Sequence, residues 1–277
     1  MVRWHDVELR IAAIVSRVRP SWAIARRVVR NPVLRPTART KMLAVILGSA
    51  FGLGRRTVAV QLPGGPLFIG RHSPLIDVKT ILDVWDAEMY PAECSGRVVL
   101  DIGAHKGYFG AWALAQGAVA VFSCEPQREN YELLARCRSA NVRGAAWDVQ
   151  RVAVGADGGR ATLFVSKGSW AHSLYEHMVD CQGTEEVTVT NLATVLDRAR
   201  ARCPGHEVVL KLNVEGAAGD VLFAVLPAQL ESVVEVHLDY EPGSPHRIDD
   251  ILEHLAAAGL SEVNAHQHQL FRVRRPP

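Results

Sequence analysis

The chain has 277 residues, 48% hydrophobic and 22% charged, with a formal net charge of +2, which is the make-up of an ordinary globular protein with room for a substantial core. The charge is uneven, since residues 1–60 hold twelve Lys/Arg against two Asp/Glu and the rest holds 19 against 27. Five cysteines, odd in number and never spaced C-x-x-C, argue against a zinc site and a disulfide framework and suit a reducing cytoplasm.

In chain order, residues 3–30 read as helix. Ile11, Ile14, Val15 and Val18 share one face, Arg3, Arg10 and Arg17 recur on another, and breaks fall at Pro20 and at Asn31-Pro32. This basic segment is open to two readings: docking on an anionic membrane or another subunit, or a helical cap on the body. The apolar run Met42–Gly54 is too short to span a membrane. Thr57–Arg71 reads as a hairpin around Pro63-Gly64-Gly65-Pro66, with a helix over Asp77–Tyr90. From Arg97 strands and helices alternate, the pattern of a mostly parallel α/β sheet with helices on both faces. Strands are expected at Arg97–Asp101, Ala118–Cys124, Ala145–Val154, Glu207–Asn213 and Ser232–Leu238. Helices are expected at Tyr108–Gln116, Arg128–Ala140, Asn191–Arg202, Ala218–Val225 and Asp249–Ala258. A strand pair at Arg160–Val165 and Glu186–Thr190 flanks a polar loop, and Glu262–Ala265 with Gln269–Val273 close the chain. The expected organisation is a basic helical extension (1–56), a hairpin and helix (57–96), and a core (97–277).

Chemistry concentrates in VVLDIGAHKGYFG, Val98–Gly110. A buried strand ends in Asp101, and a glycine-rich turn leads into a helix whose first N–H groups are free. Gly103, Gly107 and Gly110 give G-x-x-x-G-x-x-G, not the G-x-G-x-x-G of a dinucleotide site, which argues against an NAD-dependent oxidoreductase. Asp101 would repel a pyrophosphate yet suits a ligand carrying an ammonium group, such as S-adenosylmethionine. Gly103 and Gly107 would permit close backbone approach. Glu125, ending the next strand, can accept both ribose hydroxyl protons. Pro126 would shape an adenine pocket, and Val152-Ala153 would lie beside the adenine.

VVLDIGAHKGYFG, SCEPQRENYELL, RVAVGADGGRATL, VTVTNLATVLD, LKLNVEGAAGDVL and VVEVHLDY occur in the order that resembles FkbM-type methyltransferases, over roughly Val58–Leu260. The resemblance implies a Rossmann-like class I fold, S-adenosylmethionine as cofactor, and methyl transfer usually to oxygen. Three positions depart from the family pattern. His105 replaces the Asn of G-A-N, which implies altered cofactor contacts with binding retained. Asn213 replaces the Asp of K-I-D-V-E-G, and Ala218 replaces an acid.

An alcohol acceptor benefits from a general base near the ends of the fourth and fifth core strands. His237 is the expected base, its ordinary pKa being about 6.5. Glu215 is read as base, as partner to His237, or as a helix-start carboxylate. Lys211 would orient a substrate oxygen or pair with Glu215, and Asn213 keeps hydrogen-bonding capacity without charge. Tyr108 and the loop holding His172-Ser173-Leu174-Tyr175 would close over the ligands. His266-Gln267-His268 reads as exposed polar residues, and no required metal is expected. The expected acceptor is a small molecule such as a sugar, glycolipid or polyketide-like natural product. Nucleic acid is not an expected partner, because the body is acidic. A non-catalytic S-adenosylmethionine-binding scaffold is the alternative that Asn213 and Ala218 keep open, and oligomerisation stays open as well.

Overall fold

The computed structural model describes residues 21–53, 56–86, 89–266 and 270–276. The heptad-spaced arginines and the apolar stripe of residues 3–18, and the Gln267-His268 pair, lie outside the described residues. Helix α1 covers 21–30 and ends at Asn31, whose side chain accepts from the amides of Val33 and Leu34. The apolar run of Met42 onward belongs to helix α2, Pro36–Ala50. Its Ala38, Met42, Ile46 and Ala50 recur every four residues and face inward. No described helix is long and apolar enough to cross a membrane.

Strands β1, Val58–Leu62, and β2, Gly65–Ile69, form the expected hairpin. Helix α3 runs Pro74–Trp85, earlier than expected, with Pro at its first position; Met89–Tyr90 follow it outside the helix.

The core alternates β3 (Val98–Ile102), α4 (Tyr108–Ala115), β4 (Ala120–Cys124), α5 (Arg128–Ala140) and β5 (Trp147–Gln150). Then come β6 (Ala153–Gly155), β7 (Gly159–Ser166), β8 (Cys181–Asn191), α6 (Leu192–Arg202), β9 (Val208–Leu212) and α7 (Ala218–Phe223). The chain closes with β10 (Val233–Asp239), α8 (Ile248–Ala257), β11 (Ser261–His266) and β12 (Leu270–Arg274). The single strand expected over Ala145–Val154 is two. β5 joins the main sheet and β6 crosses to a separate three-stranded sheet, β6-β8-β7. Helices α5 and α6 begin where Gln127 and Asn191 accept the amides of Asn130 and Thr194.

The main sheet has the order β11-β12-β10-β9-β3-β4-β5, parallel from β10 to β5, with β12 antiparallel. Helices α2–α5 and the hairpin pack on one face, against Val99, Val121 and Val209. Helices α6–α8 pack on the other, against Leu100, Phe122, Leu210 and Val236. Burial on both faces makes β3, β4 and β9 continuously apolar. The polar exceptions, Ser123, Asp101, Lys211 and His237, are register partners across four strands and form one row on the α2–α5 face.

Candidate active site

A cavity of about 480 Å³ opens at the C-terminal ends of β3, β4, β9 and β10, where a doubly wound sheet binds ligands. Gly103, His105, Tyr108, Glu125, Pro126, Val152 and Ala153 line it, as do Lys211, Asn213 and Glu215.

Three expected residues are not on its wall. Asp101 is fully buried beneath the turn, accepts a hydrogen bond from Ser123 at 3.3 Å, and lies 3.2 Å from Lys211 Nζ. Its expected direct contact with an ammonium group is corrected, for it reaches the cavity only through Lys211. Gly107 faces inward too, and a Cβ there would lie 2.6 Å from Leu134 Cδ1 and 3.0 Å from the Trp147 ring. Its glycine serves packing, not ligand approach. Gly103 does line the cavity, with φ of 72° and a virtual Cβ 1.6 Å from the Asn213 carbonyl oxygen.

His237 is the third. It sits under Tyr90, ring centroids 6.2 Å apart, with Nε2 2.8 Å from Glu235 Oε1. Burial drives its pKa down, opposed by Glu235. Burial alone would raise Glu235, yet His237 and Arg272 hold it at about 2. The expected base is therefore a buried partner of Glu235. Asp239, two residues on with the same facing, stands at the end of the strand and lines the cavity instead.

The turn itself is wired to its surroundings. His105 has φ of 52°, a left-handed backbone that Asn and His both tolerate, so the exchange of the family's Asn for His keeps the turn. Its N–H donates to Glu125 Oε2 at 2.8 Å, and the Gln127 N–H donates to Oε1 at 3.0 Å. Burial raises Glu125 to about 7 against those two donors. The Tyr108 hydroxyl is committed to the Phe68 carbonyl at 2.9 Å, which ties α4 to the hairpin. Lys211 donates to Gly103 O at 2.6 Å and pairs with Asp101, not with Glu215.

Sequence reasoning missed two parts, Lys106 and Tyr90, and named the loop of residues 172–175 without its anchors. Lys106 Nζ, buried, reaches Asp77 at 2.6 and 2.8 Å and Ser169 Oγ at 2.7 Å. The loop after β7 is thereby strapped over the cavity. The Ser169 carbonyl accepts from Asn130 at 2.8 Å, and Ser173 Oγ donates to Glu215 O at 2.5 Å. His172, Trp170 and Leu174 of this loop line the cavity, whereas the Tyr175 hydroxyl turns to Asp220. Tyr90 lines the cavity and covers Lys211, whose Nζ is 5.6 Å from its ring centre.

The acidic end was half seen. Glu215 (φ 49°), Asp239 and Glu241 all face the cavity, raised to about 8, 6 and 7 by burial first; mutual repulsion adds to this for Glu215 and Glu241, while Lys211 opposes it for Asp239. Asp239 accepts from Asn213 Nδ2 at 3.0 Å and Glu241 from Gly216 N at 2.8 Å. Asn213 thus holds a carboxylate where the family's own residue would be one. The run His237-Leu238-Asp239-Tyr240-Glu241 carried the signal, because acids just past a strand end are placed as Glu125 is. Among the described residues no group of three His, Cys, Asp or Glu is arranged to hold a metal.

The sequence model of the Methyltransferase FkbM domain matches residues 101–260, the greater part of the chain. This chain belongs to the FkbM methyltransferase family. No protein in a curated comparison set matches it. Among solved structures it is similar to the FkbM methyltransferase of Methylobacillus flagellatus KT at 11% identity and a TM-score of 0.44, over 95% of this chain and 60% of that one. It is also similar to magnesium protoporphyrin IX methyltransferase (ChlM) of Synechocystis PCC 6803 with bound SAM, at 12% identity and a TM-score of 0.40, over 72% and 79%. A third is a putative RNA methyltransferase, PH1948, of Pyrococcus horikoshii, at 12% identity and 0.39, over 72% and 85%.

The FkbM chain is a methyltransferase of the Rossmann-like class I fold, and S-adenosylmethionine is its cofactor. The residues present fit that cofactor. Gly103 lines the cavity in a turn that packs so closely on the Asn213 backbone that no Cβ fits, and Glu125 has acceptor capacity left beyond its two amides. Pro126, Val152 and Ala153 offer an apolar wall, and the acidic end suits a cationic ligand.

Proposed function

We propose that this FkbM-family enzyme O-methylates a hydroxyl of a small molecule, a sugar, glycolipid or polyketide-like natural product. One observation carries the reading. The Glu215 carboxyl stands in the cavity without a hydrogen-bond partner among the described residues, and burial beside Glu241 and Asp239 raises it to about 8. A hydroxyl must lose its proton as it attacks, and a base poised near the working pH is best matched to take it. Bound S-adenosylmethionine supplies an electrophilic methyl group. Glu125, Pro126, Val152 and Ala153 would hold its nucleoside, with Gly103 and His105 beside them on the cavity wall. Lys211 neutralises Asp101 and fixes the Gly103 carbonyl, which sets the turn. Asn213 and Gly216 steady the two neighbouring carboxyls, leaving Glu215 to accept the proton. Five free cysteines suit the cytoplasm as its compartment.

The test incubates the full chain with S-adenosylmethionine and panels of methyl glycosides, glycolipids and hydroxylated macrolides, alongside amine analogues, and follows S-adenosylhomocysteine release. Methylation within a hydroxyl panel, lost in Glu215→Gln, supports the reading. Transfer to amines alone overturns it. Tight cofactor binding with no transfer to any panel also overturns it and leaves the scaffold alternative.

A further inference from the structure

The segment 9–76 contains no Asp or Glu and twelve Lys/Arg. Within its described part, 21–53 holds six of the eleven exposed large apolar side chains found among the described residues: Trp22, Val29, Val33, Leu47, Phe51 and Leu53. Trp22 is 67% and Phe51 69% exposed, which a helical cap packed on the body does not require. Both helices are patterned for this. On α1, Trp22, Arg26, Val29, Arg30 and, just beyond, Val33 fall on one outward stripe, opposite the buried Val28. On α2, Lys41, Ala44, Leu47 and, just past its end, Phe51 do the same, opposite Met42 and Ile46. Arg26, Arg30, Arg35 and Arg56 are exposed and form no ion pair among the described residues, so their charge is available to a partner.

We infer that the outward face of α1 and α2 docks on an anionic lipid surface. Aromatic and aliphatic side chains interleaved with arginines that form no ion pair among the described residues complement an anionic headgroup layer and the acyl boundary beneath it. The depth is interfacial, since no described helix can span. The face is joined to the active site: Arg27 pairs with Asp83 and Asp86 of the α3 region, and Asp83 and Lys79 line the cavity. Docking is therefore coupled through Arg27 to the α3 wall of the cavity.

Co-sedimentation of the full chain, with no acceptor or cofactor present, tests this independently of the reaction. Two vesicles are compared, phosphatidylcholine alone and phosphatidylcholine with about a third replaced by phosphatidylglycerol. Binding is expected to the anionic vesicle, weak on the neutral one, and reversed by high salt. Arg26→Gln and Arg30→Gln should each weaken it about fivefold. Trp22→Ala and Phe51→Ser should weaken it at every salt concentration, with melting temperatures unchanged because these side chains are exposed. Absence of binding to the anionic vesicle overturns the inference, as does binding that ignores all four substitutions. A concentration-dependent dimer weakened by Trp22→Ala and Phe51→Ser, with no vesicle binding, assigns the face to a second copy and overturns it too.

Discussion

Asp101 and Lys211 are register partners on neighbouring central strands, and their side chains meet, Nζ lying 3.2 Å from Oδ1. Both are buried, so each is the other's compensation. Lys211→Met strands a carboxylate in the core and should cost about 3–5 kcal/mol in urea unfolding. The double variant Asp101→Asn, Lys211→Met should recover much of that loss; equal destabilisation in single and double variants would show that the pair is not coupled.

Glu215→Gln should lower kcat by about 10²–10⁴ and leave S-adenosylmethionine affinity within about threefold. A base becomes competent as it loses its proton, so wild-type kcat should climb with pH through about 8. Stopped turnover across pH 6–9 checks both, and a Gln variant that keeps the climbing limb would remove Glu215 from the role.

His237→Ala should leave kcat within about threefold, because the ring faces Glu235 and Tyr90 and not the cavity. Stability should fall by about 1–3 kcal/mol, since Glu235 loses a hydrogen-bond partner. Assay below the melting temperature separates the two effects.

Glycine substitutions should rank by what stands behind them. Gly103→Ala meets backbone, the Asn213 carbonyl, and should cost more than about 3 kcal/mol. Gly107→Ala strains a left-handed backbone (φ 83°) and meets side chains, Leu134 and the Trp147 ring, not backbone, and should cost about 1–3 kcal/mol. Chemical unfolding of both, side by side, reads the order.

Stability of the ligand-free protein should rise as pH falls from 8.5 to 6.5. Glu125, Glu215 and Glu241 are raised to about 7, 8 and 7, so in this window the folded state holds protons that the unfolded chain has released. Below 6.5 the trend opposes itself, for His105, His172 and His237 are kept neutral by burial and the unfolded chain gains protons there. Melting temperatures at fixed ionic strength check the sign, and Glu215→Gln should flatten the slope.

The sheet and its strand ends were legible because buried parallel strands read as apolar runs and the Asp101 and Glu125 signals sit just where those runs stop. Helix α5 was read to the residue, its Gln127 cap lying two residues past Glu125. What stayed hidden depends on partners far apart in sequence. Lys106 looked like a turn residue until Asp77 and Ser169 arrived from either side of it. His237 has the right chemistry and strand, but whether a residue on that face meets a ligand depends on how far up the strand it stands. Asp239 has the same facing two residues higher, and that step decides access.

Trp147 gives the opening motif a different history. Its ring occupies the space that a Cβ on Gly107 or Gly110 would need, at 3.0 and 2.7 Å. Two of the three motif glycines are therefore conditioned by an aromatic residue some forty positions downstream, on β5, and not by the cofactor in front of them. Where the aromatic shrinks among relatives, Gly110 should be released, while Gly107, with φ of 83° and Leu134 Cδ1 at 2.6 Å, and Gly103, with φ of 72°, keep their constraints.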